Sequence, residues 1–294
     1  MRSPRTPCFP ALIVLIAATL LSSPSLAQVN APRSLEALAS AGANPSLPDA
    51  PGLADPTPPP ISQDLPIDRQ PHSDVTVTLA PVHVIQDVAH TVVSPIYLRT
   101  NDLKWILPLT GAAATAFATD THTMTKVVST NPSFNQTAVN VSNGLVWGVI
   151  ATPISLFGVG EFQHNPHARE TGILGSEAMV DAVVADELVK LCAWRERPTV
   201  DNGQGEFFIG KAGPDSSFVS EHSMIAWSSA AVIAGEYHSR WVQLGVYTAA
   251  AGVSATRVLG QEHFPSDVLL GAAGGWLIGH YVYRAHHHWH PSQP

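Results

Sequence analysis

The stretch ATRVLGQEHFPSD, Ala255 to Asp267, sets an arginine, a glutamate, a histidine and an aspartate between two long uncharged runs, Trp241 to Thr256 and Val268 to Tyr283. Each run spans sixteen residues rich in Ala, Gly and larger apolar side chains, about four turns if helical. Arg257 and His263 lie six residues apart, which on an unbroken helix would point them about 240° apart. A turn at Gly260 lets them converge, and Pro265, pre-set for the first helical turn, starts a second helix. Helix, charged turn, helix is therefore the reading, and it points to an all-α chain.

Outward from this junction the helical pattern extends over approximate segments 83–98, 102–118, 136–158, 170–195, 221–236, 239–256 and 266–284. The fold expected is a helical bundle of about six to seven helices. In the fourth segment Val180, Val183, Val184, Leu188 and Leu191 recur at spacings of three and four, with Glu177, Asp181 and Glu187 elsewhere. That spacing makes the helix amphipathic and not membrane-buried all round. Pro198 disfavours helical geometry at Arg197, so the helix is expected to stop there. Residues 202–217 carry four glycines and a proline and read as a loop long enough to be functional.

The N-terminal part has a different composition. Arg2 and Arg5, the apolar run Ala11 to Leu21 and Ser25-Leu26-Ala27 form the pattern of an export signal, residues 1–27. Residues 28–82 hold nine prolines between Pro45 and Pro71 and few aromatics, and read as a disordered, partly extended tether. The alternating Val75 to Leu79 reads as linker or as a short strand. A helical domain over 83–294 follows. Removal of the signal takes Cys8 with it and leaves Cys192 alone, so no intramolecular disulfide is expected.

The chain is 45% hydrophobic, only 13% charged, and carries a formal net charge of −8. Acidity without a Lys/Arg-rich run excludes a nucleic-acid binder. The low charge fits a membrane-associated protein or closely packed Ala/Gly-rich helices.

Three boxes carry chemistry. Asp267 follows His263 by four residues, within reach of one imidazole nitrogen, which would leave the other bare as a nucleophile or base. In KLCAWRERP, Lys190 and Arg197 stand two turns apart near a helix end, where cations also merely complement the dipole. In SSFVSEHS, Ser220 is a candidate N-cap and His222 falls in the first helical turn, where free N–H groups favour an anion. Each box alone is compatible with a purely structural role.

Taken in order, Lys190-x6-Arg197-Pro198, Ser220-x-His222 and Arg257-x5-His263-x3-Asp267 resemble the type 2 phosphatidic acid phosphatase and vanadium haloperoxidase superfamily over roughly residues 100–284. Two positions depart from its pattern: Glu221 stands where members usually have glycine, and Thr256 where they have serine. The resemblance implies a metal-independent phosphatase. Lys190, Arg197, Arg257 and Ser220 would bind phosphate; His263 would form a phosphohistidine, oriented by Asp267; His222 would protonate the leaving oxygen and then activate water. The substrate implied is a phosphorylated lipid, a prenyl diphosphate or a small phosphate ester, and no metal or other cofactor is needed.

A vanadate-dependent haloperoxidase is the alternative from another reaction class, with vanadate held by the same residues. A catalytically weak phosphate-binding protein is the third reading, because Glu221 puts a negative charge beside the anion. Its side chain would either face the phosphate or swing toward Arg195 or Lys211. A zinc site from His222, His263 and Asp267 is disfavoured by the neighbouring cations, and the run RAHHHWH reads as a solvated tail with incidental metal affinity. Membrane members of the superfamily typically have six spanning helices. Here most uncharged runs stop at about sixteen residues, short of the ~20 needed to cross, although Asn131 to Gly160 is longer. The expectation is an exported, periplasmic or cell-envelope bundle with possible membrane attachment.

Overall fold

Six α-helices make up almost all of the described part of the chain: α1 Leu103–His122, α2 Pro132–Gln163, α3 Pro166–Ala193, α4 Glu221–Glu236, α5 Arg240–Leu259 and α6 Pro265–His286. A π-helical turn, Thr123–Val127, follows α1. These come from a computed structural model that describes residues 86–87, 103–200, 203–209 and 215–287. The export signal, the proline-rich tether, the Val75 to Leu79 stretch, Lys211 and the histidines beyond His287 lie outside the described residues, as does nearly all of the 83–98 segment. No strand occurs among the described residues, so the expected all-α bundle is what forms.

The ends are set by local chemistry. Asn131 caps α2, its side chain accepting from Ser133 and Phe134 N–H at 3.0 and 3.3 Å, with Pro132 at the first position. Asn165 caps α3 in the same way, from Ala168 N–H at 3.1 Å, ahead of Pro166. The two-residue link His164–Asn165 makes α2 and α3 an antiparallel pair. At its far end α3 stops at Ala193, with Trp194 left-handed at φ 47°. Ala193 is five residues before Pro198, so the proline does not set the stop as the sequence suggested.

Helix α4 sits at the centre and packs against α2, α3, α5 and α6. Twelve of its sixteen residues are buried. Its closest neighbour is α6. A Cβ added at Gly275 would lie 2.2 Å from the Met224 carbonyl oxygen, and one at Gly279 would lie 2.1 Å from that of Ser228. Only glycine permits this backbone contact. The contact brings the start of α6, with Asp267, beside the start of α4, with Ser220: Ser220 N–H donates to the Asp267 carbonyl at 3.2 Å. Gly275→Ala is expected to push the helices apart and cost about 2 kcal/mol, which a thermal melt reads as a midpoint lowered by roughly 4–8 °C.

Helix α3 is two-faced, and much of its apolar stripe lies outward. Glu177, Asp181, Asp186 and Lys190 are buried, whereas Val180, Leu188 and Leu191 are exposed and Val183 and Val184 half-buried. The spacing was that of an amphipathic helix, but the apolar stripe faces out. The buried face is mixed: Ile173, Leu174, Ala178, Met179 and Ala182 of this helix lie in the apolar core beside these charged groups, and Val183 packs against it.

Candidate functional site

All three boxes meet at one end of the bundle. Lys190 ends α3, and Arg195 and Arg197 follow it. Ser217 and Ser220 precede α4, and His222 lies in its first turn. Arg257 ends α5, His263 sits in the α5–α6 turn, and Asp267 is in the first turn of α6. The turn predicted at Gly260 forms, and Pro265 is the first residue of α6.

His263 is 2% exposed, far more enclosed than a loop residue normally is. Its Nδ1 lies 2.7 Å from the Ser217 carbonyl oxygen. A carbonyl only accepts, so Nδ1 carries the proton and Nε2 keeps a bare lone pair. Asp267 was expected to do this orienting, but its Oδ2 stands 3.9 Å from Nδ1, beyond hydrogen-bonding distance. Asp267 instead accepts from Ser217 Oγ at 2.6 Å, from Phe264 N–H at 2.9 Å and from Arg195 Nη1 at 2.5 Å. It therefore holds the segment that holds the histidine. Burial would raise Asp267, but Arg195 above all, with the His263 and Ser217 contacts, keeps its carboxyl below the ordinary value.

Arg195, two residues before the motif arginine, is the group sequence reasoning missed. Besides Asp267 it donates to Ser266 Oγ and Asp120 Oδ2, both at 2.7 Å, and to the Gly205 carbonyl at 3.1 Å. Its guanidinium carbon lies 4.1 Å from the centre of the Phe264 ring and 4.8 Å from that of Phe207. Asp120 in turn accepts from Ser266 N–H at 3.1 Å and from its hydroxyl. The available signal was Asp120 itself, the one carboxylate in the apolar helix α1.

The three motif cations are each matched to a carboxylate. Lys190 Nζ lies 2.6 Å from Asp186 Oδ2 and 3.3 Å from Glu221 Oε2. Arg197 Nη1 donates to Glu262 Oε2, which also lies 3.4 Å from Arg257 Nη2. Glu221 thus points neither to Arg195 nor to bulk solvent, but to a cation of the cluster. Ser220 occupies the N-cap position of α4, yet its hydroxyl makes no capping bond. Among the described residues, Ser220 Oγ and Arg257 Nε are buried here with no hydrogen-bond partner.

His222 is surrounded by positive charge. Burial first, then Arg257, His263, Lys190 and Arg197, push its imidazole down to about 3. Burial likewise lowers His263, with the Asp267 charge opposing and Arg257 and Arg197 adding to the effect. Both rings are neutral near pH 7. An arriving dianion reverses the sign of the local potential and raises both.

Because Glu221 neutralises part of Lys190, Glu221→Gly is expected to tighten anion binding. A carboxylate ~5 Å from a bound charge at an effective dielectric near 20 costs about 3 kcal/mol. Orthovanadate inhibition of Glu221→Gly should be roughly tenfold to a hundredfold tighter, with the gap shrinking as salt rises. Equal inhibition at all ionic strengths would mean that Glu221 does not act on the anion.

The model of the PAP2 superfamily matches residues 172–291, a stretch containing every residue of the three boxes. A lipid A 1-phosphatase from Porphyromonas gingivalis is 35% identical over 85 residues, which is 27% of this chain. The match spans 19% of that relative's length, about a fifth of it. No solved structure matches the chain. The three boxes, in the expected order and converged on one end of a helical bundle, all lie within the stretch that the PAP2 superfamily model matches.

Proposed function

We propose that the domain is a phosphatase acting on a phosphorylated lipid through a phosphohistidine. One observation carries the reading. Among the described residues Ser220 Oγ and Arg257 Nε are buried without hydrogen-bond partners at the end of the bundle that carries His222, His263 and the three cations, as a site for a tetrahedral anion would leave them. Phosphate would be held by Lys190, Arg197, Arg257 and Ser220, with Glu262 and Glu221 releasing the cations. Nε2 of His263 would attack phosphorus as the ester P–O bond breaks, and His222 would give a proton to the leaving oxygen. In the second step His222 would take a proton from water, which attacks phosphorus and frees His263. Two arginines and a lysine neutralise the charge, so these steps call on no metal and no cofactor.

Lipid as the substrate class is supported by the name of the relative and by the surface. Trp105, Trp147, Phe162 and Trp241 are all exposed, Phe162 at 89%. Helix α2 is long and apolar enough to cross a membrane by length and composition, with 17% of its apolar window buried inside the protein. The outward stripe of α3 adds Val180, Leu188 and Leu191. A cell-envelope location with membrane association follows as part of the proposal.

The test is phosphate release from phosphatidic acid, phosphatidylglycerol phosphate, undecaprenyl diphosphate, lipid A and p-nitrophenyl phosphate. Turnover of a lipid above the soluble ester is expected; release from none overturns the reading. Orthovanadate with bromide and peroxide separates the haloperoxidase, which oxidises bromide, from the phosphatase, which is only inhibited. The pairing of all three cations with Asp186, Glu221 and Glu262 favours a second, weaker outcome, a phosphate binder with slow turnover. Single-turnover phosphate release distinguishes it.

The pH profile is fixed in sign. With His222 at about 3 in the free protein, the proton for the leaving group must arrive with the substrate monoanion. For a phosphate monoester, kcat/KM is therefore expected to fall about tenfold per pH unit above about 6, where phosphate loses its second proton. A flat profile from pH 6 to 8 would show that His222 is protonated before substrate binds.

A further inference from the structure

The turn that carries His263 is held from two sides. On the α4 side the His263 imidazole meets the Ser217 carbonyl at 2.7 Å. On the other side lies the link between α1 and α2, made of the π-helical turn Thr123–Val127 and residues 128–131. Gln261 reaches that link. It is 7% exposed and left-handed at φ 60°, a conformation that strains a residue with a Cβ and persists only where the surroundings hold it. Its Nε2 lies 3.2 Å from the Met124 carbonyl oxygen and 3.3 Å from that of Ser129. Both oxygens only accept, so the amide nitrogen must face them and gives one proton to each.

We infer that Gln261 is a positioning residue that fastens the α5–α6 turn to the α1–α2 link and so sets the place of Glu262 and His263, a role that rests on the reading of His263 as the attacking group. The contacts of the turn alternate. A Cβ added at Gly260 would lie 2.7 Å from Val139 Cγ2 of α2, Gln261 bonds the link, and Phe264 packs with Met124 and Val128. Between them, Glu262 turns to Arg197 and Arg257, and His263 turns to Ser217. One edge of the turn thus anchors it while the other edge carries the groups of the site.

The anchor is itself firm. Met124 is 1% exposed. Val128 N–H donates to the Thr123 carbonyl at 2.9 Å and Asn131 N–H to Ser129 Oγ at 3.2 Å, and Asn131 caps α2. Met124 is among the last four residues before the π-helical turn ends, where carbonyls lack donors from their own helix. Gln261 supplies one, and a buried oxygen that would otherwise go unpaired makes the tether costly to release.

Two variants cut the tether differently. Gln261→Gly keeps the left-handed backbone without steric cost and removes the side chain, whereas Gln261→Glu keeps its length but, ionised, offers no proton to either carbonyl. Because misplacing a reacting group by about 1 Å costs up to a hundredfold, each is expected to lower kcat by roughly tenfold to a hundredfold. KM and orthovanadate affinity should stay within about twofold, since the cations are untouched. Gln261→Asn, which tolerates the left-handed backbone and keeps a shorter amide donor, should recover part of the loss.

A second readout does not depend on turnover. In ¹⁵N-histidine NMR of the full chain, the Nδ1 proton of His263, assigned by its loss in His263→Gln, should be protected from solvent exchange in the parent and exchange faster in Gln261→Gly and Gln261→Glu. Unchanged kcat and unchanged exchange in either folded variant overturns the inference, as does a vanadate affinity that falls in step with kcat, which would make Gln261 part of the anion site. If Gln261→Glu does not fold, Gln261→Gly decides alone. A parent that releases no phosphate, but whose Nδ1 proton still depends on Gln261, overturns the phosphatase reading and leaves the tether standing.

Discussion

His263→Ala is expected to lower kcat by roughly four orders of magnitude or more, because in the proposed mechanism it removes the atom that would accept the phosphoryl group and not a group that assists it. Nε2 is the atom in question: the Nδ1 proton is committed to the Ser217 carbonyl at 2.7 Å. His263 is 2% exposed, so alanine leaves a cavity and a carbonyl without its donor. His263→Gln is the better control, since its amide can still donate to Ser217 while offering no nucleophile. Both variants should fail to retain phosphate on protein after acid quench of a rapid-mix reaction with labelled substrate. His222→Ala should differ: it should still accumulate the phosphohistidine from an activated aryl phosphate, whose leaving group needs no proton, and then stall before water attack. A His263→Gln protein that turns over near the parent rate, or that still carries labelled phosphate, would sink the covalent reading.

Much of this geometry was legible in the sequence because helix ends have strong local signals. Gly260 and Pro265 bracket the turn carrying His263, and Ser220 marks the start of α4. The order of the boxes then tells which ends must meet. What the sequence hid is of two kinds. The facing of α3 was not legible, because apolar periodicity finds a stripe but does not say whether core or exterior receives it. Here Glu177, Asp181 and Lys190 are buried, while Leu188 and Leu191 face out. The group nearest His263 Nδ1 was also hidden. Four-residue spacing puts Asp267 within reach of the imidazole, but the Ser217 carbonyl, 46 residues away in sequence, is nearer. Backbone acceptors from distant loops leave no residue-type signature. The carboxylates that match the cations were visible as Glu221 and Glu262, yet pairing with Lys190, Arg197 and Arg257 depends on which side chains the bundle brings together.

Arg195→Met is expected to destabilise the domain by about 3–5 kcal/mol, because it strips the shared cation from two buried carboxylates, Asp120 and Asp267. For a domain of this size that lowers the melting midpoint by roughly ten degrees or more. Arg195→Lys should recover only part of this, since one ammonium lacks the planar fork that reaches both acids and stacks on Phe264. Asp120→Asn placed in the Arg195→Met background should restore some of the loss, a coupling that a double-mutant cycle reads directly. The kinetic signature separates Arg195 from the motif arginines. Its hydrogen bonds run to Asp120, Asp267, Ser266 and Gly205, all of them away from the Lys190–Arg197–Arg257 cluster. Below its melting range Arg195→Lys should therefore lower kcat, as Ser217 and His263 lose their fixed position, with KM and vanadate affinity nearly unchanged. Arg197→Lys should do the opposite and weaken vanadate. Should Arg195→Lys instead raise KM and abolish vanadate inhibition at unchanged kcat, Arg195 would be a phosphate ligand, and the division between the residues that hold the anion and those that hold His263 would have to be redrawn.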